Sequence, residues 1–516
     1  LVGYGVSVDS SNHTKGDVNG AGYVGGLIGQ VSSSVTNSYS EGNVTGTIYV
    51  GGLIGNGALI TASSAKGDIN GQNYVGGLAG QTTSSVNNSS SEGDVTGQGN
   101  YVGGLIGLSY YHYSGKFNET VMTAQNSFAI GNVKGKGYVG GLIGLDSIYS
   151  SSNGIKNLVK RISNSHSVGN VIGKDKYVGG VIGKSNYGRC SFSCSDENIS
   201  LQTLSSYHKG SIESDSSYVG GVAGYARGII DSTYHIDGNV SGNGYVGGLV
   251  GYVSSTVSNS YSEGNVTGAS SYVGGLIGLS YYHYNGSDSS AIAIMTAQNS
   301  YATGNVSGKG YVGGLIGLDS IYISYRPKTL VKKISNSHSV GNVVGKDKYV
   351  GGVLGKSNYG YYSSSYISNI SLQILSSYHK GSIESDSSYV GGVAGYVSGD
   401  VDSTYHVDGN VNGSGYVGGL IGLASSSVKN SYSEGDVTGT GNYVGGLVGR
   451  GAAIDVSYHD SGIVSGKYYV GGLAGYTAGT VTGSHSEGIV SGTGNYVGGL
   501  VGYGVSVDSS NHTKGD

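Results

Sequence analysis

Proline and tryptophan are nearly missing from this 516-residue chain: Pro327 stands alone and there is no tryptophan. Cysteine is confined to Cys190 and Cys194, within Arg189-Cys190-Ser191-Phe192-Ser193-Cys194. Metal sites usually need four ligands and no second pair exists, so a metal site is not the reading here. A local disulfide between Cys190 and Cys194 is the first reading, and a pair of free thiols the second. The related later stretch carries Tyr362 and Tyr366 instead, so the fold does not depend on these thiols. Charge is scarce too, at 11% of residues, against roughly 25% in ordinary soluble domains. The formal net charge of -4 is too small to call for a nucleic acid or other polyionic partner. No apolar run approaches the roughly eighteen residues that a membrane span needs.

Glycine, at 101 residues, is abundant without proline or a strict triplet, which excludes collagen. The valine, isoleucine and tyrosine content argues against disorder. What fills the chain is one motif, Tyr23-Val24-Gly25-Gly26-Leu27-Ile28-Gly29. It recurs sixteen times, with its tyrosine at Tyr23, Tyr49, Tyr74, Tyr101, Tyr138, Tyr177, Tyr218, Tyr245, Tyr272, Tyr311, Tyr349, Tyr389, Tyr416, Tyr443, Tyr469 and Tyr496. Spacings are 25 to 27 residues in plain copies and 37 to 41 in six enlarged ones. A period of this size signals a solenoid, in which each repeat buries its apolar face only against its neighbours.

Within a plain repeat, Tyr23 to Gly29 reads as one strand, Val35 to Glu41 alternates as a second, and Asn43 to Thr45 forms a short third. Too few residues remain for a helix. The expected fold is therefore all-β: a parallel β-helix, or β-solenoid, with three sides and about sixteen coils running as one continuous solenoid over 1–516. The inward set is Val24, one or both of Leu27 and Ile28, Val35 and Val44; the double glycine marks a bend or a close approach of backbones. Stacked coils about 4.8 Å apart align the tyrosines into a ladder, whose face the sequence leaves open. Asn37, Asn88, Asn126, Asn164, Asn259 and Asn430 predict a second ladder. The enlarged coils fall in two related runs, 101–217 and 272–388, whose inserts all follow the glycine-rich strand and so emerge on one face.

Leu1 to Asp17 and Leu500 to Asp516 are identical, 499 residues apart. Residues 1–22 read as a partial coil and 500–516 as the start of the next long period. The chain opens at Leu1, without an initiator methionine or a leader, and the expectation is an excerpt of a longer array or of subunits joined end to end.

In its setting of Tyr-Val-Gly-Gly-Leu-Ile-Gly, the Gly-Leu-Ile-Gly sequence resembles the GLUG-motif repeats of bacterial surface proteins. Those occur in large adhesins and in immunoglobulin-A-cleaving surface peptidases, in β-helical regions. The resemblance implies an extracellular, cell-surface setting. The peptidase association does not carry over, because the chain has no His-Glu-x-x-His sequence.

Candidate chemistry is sparse. Asp231-Ser232-Thr233-Tyr234-His235, echoed at Asp402 to His406, has triad residue types, but alternate strand side chains point to opposite faces and cannot converge. His166, His208, His338 and His379 are expected in a surface ladder rather than at a metal. Lys156, Lys160 and Arg161, with Arg326, Lys328, Lys332 and Lys333, read as solvated basic faces that could touch anionic glycan. The insert tyrosines Tyr110, Tyr111, Tyr113, Tyr281, Tyr282 and Tyr284 are candidate contacts for sugars or a neighbouring fibre. Asn118 and Asn285 are the best placed of the glycosylation sequons. No cofactor, metal or catalytic residue is expected. The reading is a structural rod of an extracellular fibre or giant adhesin whose first partner is itself. The alternative is a glycan-binding or glycan-degrading β-helix with a site on the insert face; no tight carboxylate cluster supports it.

Overall fold

The structure, a computed structural model, describes residues 2–9, 12–113, 119–150, 158–187, 199–215, 217–284, 291–324, 329–361, 370–386 and 388–515. These form two compact units, Leu1–Asn243 with Gly248–Val253, and Gly244–Gly247 with Ser254–Asp516. No helix occurs among the described residues. In each unit, successive repeats stack as parallel strands in register, which makes the chain an all-β parallel β-solenoid.

The coil beginning at Tyr23 shows how the sequence dictates the path. Five short strands, rather than the three anticipated, make one turn: Val24–Gly25, Ile28–Val31, Ser34–Thr36, Tyr39–Glu41 and Val44–Thr45. The motif strand breaks at the double glycine because the backbone folds against its neighbour there. A Cβ on Gly26 would lie 2.3 Å from the Gly52 carbonyl oxygen of the next coil, closer than any side chain tolerates. The Val35 strand breaks at Asn37, whose φ of 46° is left-handed; asparagine adopts that region more readily than most residues. Gly42 turns the next corner at φ 136°, and its Cβ would meet the Gly16 carbonyl at 2.3 Å.

The inward set is as expected. Val24, Leu27, Ile28, Val35 and Val44 are all buried, so both Leu27 and Ile28 point inside. Where alanine replaces Ile28, at Ala79, Ala223, Ala394 and Ala474, it too is fully buried. Register carries this core along each unit. In the first, Val24 pairs with Val50, Val75 with Val102, and Val139 with Val178; in the second, Val246 pairs with Val273 and Val390 with Val417.

The inserts lengthen the second and third strands of a coil. In the first unit the outgoing strands Ile106–Tyr113, Ile143–Ser150 and Ile182–Tyr187 stack in parallel, as do the returning strands Glu119–Gln125, Leu158–Ser163 and Ile199–Leu204. Tyr113, Val121, Ile148, Leu158, Ile199 and Leu201 form a small apolar core of their own. The second unit repeats the arrangement around Tyr284, Ile321, Ile323, Leu330 and Leu372.

Candidate functional site

The motif tyrosine points outward, half-buried in most coils and exposed at Tyr23 and Tyr496. The rings stack face to face, seven in the first unit and nine in the second. Tyr23 and Tyr49 lie 4.9 Å apart at 10°, Tyr177 and Tyr218 4.8 Å apart at 24°, and Tyr416 and Tyr443 4.9 Å apart at 3°. Stacking consumes the ring faces and leaves edges and hydroxyls to solvent, so interior rings of the ladder offer no flat platform for a sugar. Burial and neighbouring phenols push the Tyr177 hydroxyl up to about 12, so it stays protonated at neutral pH. Lys184 sits 4.3 Å above the Tyr177 ring and Lys356 4.5 Å above Tyr349.

Sequence reading expected His166 and His338 in a surface ladder but missed the tyrosine and phenylalanine rings stacked with them; this second aromatic ladder runs along the Tyr39 position. It holds Phe128, His166, Tyr207 and Tyr234 in one unit, and Tyr261, Tyr301, His338, Tyr378, Tyr405, Tyr432, Tyr458, His485 and His512 in the other. The signal was available: an aromatic or imidazole ring recurs at one offset from the motif.

The asparagine ladder exists in part. Asn126 donates to Asn88 at 3.1 Å, Asn299 to Asn259 at 3.1 Å, and Asn336 to Asn299 at 3.3 Å. Two further polar rows do more for the backbone. Buried serines bond coil to coil, as when the Ser63 hydroxyl accepts from Ser38 N–H at 3.1 Å and donates to the Thr61 carbonyl at 2.9 Å. At the corner after Gly42, carboxylate or amide oxygens accept the next coil's N–H, from Asn43 to Asp17 at 2.8 Å and from Asp68 to Asn43 at 2.9 Å. Asn43, Asn265 and Asn305, three of the sequons, hold such corners.

Two expectations are overturned. The histidines divide between two faces: His166 and His338 belong to the outer ladder, but His208 and His379 are fully buried, with His235, His406 and His459. Each buried ring follows the outer-ladder residue of its strand, at an inward position that elsewhere holds serine, alanine or threonine. His208 and His235 stack at 5.6 Å, and His379 and His406 at 5.5 Å. Because Ser167 donates to the Gly180 carbonyl, it must accept from His208 Nδ1, 2.9 Å away. His235 and His406 donate from Nε2 to the Gly210 and Gly381 carbonyls, each at 2.9 Å. The opposite nitrogens of His208, His379, His406 and His459 are buried with no hydrogen-bond partner among the described residues. Burial pushes His235, His406 and His459 down to about 4, and His208 and His379 well below the ordinary value.

The second correction concerns the basic inserts. Lys160 and Lys332 are buried, each 1% exposed, in ion pairs with Asp146 and Asp319. Alternation along the returning strand sends Leu158, Lys160 and Ile162 inward while Arg161 bonds Gln202 at 2.7 Å. Tyr113 and Tyr284, read as contacts, are core residues for the same reason. Tyr110, Tyr111, Tyr281 and Tyr282 are half-buried, and Tyr111 donates to Glu119 at 2.6 Å. Cys190, Cys194, Asn118, Asn285, Lys156, Arg326 and Lys328 lie outside the described residues.

Asp231 and His235 occupy separate strands and do not converge. Glu41 and Glu92 meet Lys15 and Lys66 at 3.8 Å on the surface. Among the described residues no three His, Cys, Asp or Glu side chains gather as a metal site, and no helix is long and apolar enough to cross a membrane.

The family described as the GLUG motif matches four stretches, 20–45, 71–96, 242–267 and 413–438. Each begins just before a motif tyrosine and ends after the following corner, one coil in length. Comparison with curated proteins yields no match, and neither does comparison with solved structures. GLUG repeats on a parallel β-solenoid fit a structural repeat protein.

Proposed function

We propose that the chain is a non-catalytic rod segment of an extracellular surface fibre or giant adhesin, built from tandem 499-residue periods that continue or polymerise end to end. The observation that carries this reading is the identity of 1–17 and 500–516 together with their places in the ladders. Val2 pairs with Ile28 and His13 with Tyr39; at the other copy, Ala474 pairs with Val501 and His485 with His512. Both copies thus occupy the same positions of a coil, so a following period would enter in register. Low charge and the surface setting of GLUG proteins support an exposed, neutral fibre. The partner is another copy of the same period.

Electron microscopy of native material, averaged along the axis, tests the proposal. A continuous rod repeating at about 77 Å per period, sixteen coils at the usual strand spacing, is expected. Discrete particles with closed ends would overturn it and turn attention to glycan binding beside the inserts.

A further inference from the structure

The ion pair at the base of the second insert recurs in both units with the same four residue types. In the first unit Lys160 Nζ contacts the Asp146 carboxylate and donates to Ser109 Oγ at 2.9 Å and the Ser147 carbonyl at 3.0 Å. The Thr123 hydroxyl reaches both Asp146 oxygens, at 3.1 and 3.0 Å. In the second, Lys332 contacts Asp319 and donates to Ser280 Oγ at 2.8 Å and the Ser320 carbonyl at 3.1 Å, while Thr296 donates to Asp319 at 2.9 Å. The lysines stand in apolar columns: Val121 and Leu201 flank Lys160, and Ile294 and Leu372 flank Lys332. Side-chain exposure of both carboxylates is 3% or less.

We propose that Lys160 condenses with Asp146, and Lys332 with Asp319, into isopeptide bonds that close the base of the second insert in each unit. Nothing but the amine and the carboxyl group is consumed. To react, the ammonium passes a proton to the carboxylate within the buried pair, so that a neutral amine faces a neutral acid. Nζ then attacks Cγ. The Nζ–Cγ bond forms, one Cγ–O bond breaks, and the hydroxyl leaves with a nitrogen proton as water. Thr123 or Thr296 polarises the acid by donating to its oxygen. The serine hydroxyl and carbonyl hold the other nitrogen protons, aiming the lone pair at the carbon. The amide keeps the threonine donor and the carbonyl acceptor and removes both charges, whose desolvation the pair alone offsets poorly.

Intact mass spectrometry of the reduced 516-residue chain decides the question. The expected mass is two waters below that of the sequence, and peptide mapping finds Asp146 and Lys160 in one branched peptide and Asp319 and Lys332 in another. Lys160→Met restores one water, and Lys332→Met the other. The mapping on the unaltered chain stands even if a variant fails to fold. A mass equal to the sequence, or a water deficit confined to a linear peptide at Asp146-Ser147, would overturn the proposal.

Discussion

The plain coil that starts at Tyr416 buries Val417, Leu420, Ile421, Val428 and Val437, with Ser431 and Ser433 as its inward polar groups. The enlarged coil that starts at Tyr311 keeps the matching set, Val312, Leu315, Ile316, Ile334 and Val343 with Ser337 and Ser339. It then adds Ile321, Ile323, Leu330, Asp319 and Lys332. The two regions are held by different physics. Plain coils depend on identical neighbours: close glycine contacts, stacked rings and serine-to-backbone bonds, all directed along the axis. Enlarged coils add an apolar core shared among the three stacked inserts and one buried polar centre per unit, so their inserts depend on side chains that meet away from the axial stack.

The largest effect should fall where the two regions agree. A Cβ on Gly419 would lie 2.0 Å from the Gly446 carbonyl, and one on Gly314 2.1 Å from the Gly352 carbonyl. Gly419→Val and Gly314→Val should each cost on the order of 5 kcal/mol and prevent local stacking, seen as lost hydrogen-exchange protection. A mild result for Gly314→Val would mean that the insert core can hold its coil without the axial contact. Next comes Asp319→Ala, which leaves Lys332 buried without its partner at a cost of about 3 to 5 kcal/mol. Protection should be lost across the insert strands Ile316–Ile323 and Thr329–Ser335 and spared in the coil at Tyr416. Loss spread evenly over both would mean that insert and plain coils unfold as one.

Acid should act on both kinds of coil. His406 and His459 lie in plain coils and are held down to about 4 by burial, against an unfolded value near 6.5. Between these values the unfolded chain binds more protons. Stability is therefore complete above about pH 6.5 and falls as the pH drops toward 4, by up to roughly 1.4 kcal/mol per pH unit for each histidine. Urea midpoints measured across that window should follow this slope. Replacing His406 and His459 with serine, the residue found between them at Ser433, should flatten it; an unchanged slope would assign acid sensitivity elsewhere. The smallest effect belongs to the outer ladder. Tyr443→Leu removes two ring stacks, with Tyr416 and Tyr469, and should cost about 0.5 to 1.5 kcal/mol by thermal melting.

Much of the fold was legible because a repeat written sixteen times states its inward positions sixteen times. Valine after the motif tyrosine and the valines at the Val35 and Val44 positions were read as inward, while the Leu-Ile pair was read as inward at one or both positions and proved buried at both. The five-strand path was harder to see. Alternation through Val35-Thr36-Asn37-Ser38-Tyr39 reads as one strand, and only the left-handed turn at Asn37 divides it. His208 illustrates an error of one position: it follows Tyr207 on an inward site, whereas His166 holds the outward site that Tyr207 occupies one coil on. Lys160 illustrates a signal outweighed by composition. Its spacing from Leu158 and Ile162 already placed it inside, yet its neighbours Lys156 and Arg161 suggested a charged surface.

By itself, then, the sequence determined the period, the parallel stacking, the apolar core and the stacking of the tyrosines into a ladder, but not the outward face of that ladder. These follow from side chains repeated at one spacing, which must meet their own kind in the next coil. Which polar groups go inside was set by the folded chain. A histidine or lysine is buried at tolerable cost only where a partner from elsewhere in the chain meets it. Those partners, the Gly210 carbonyl for His235 and the Asp146 carboxylate for Lys160, are brought into reach by the winding of the coil.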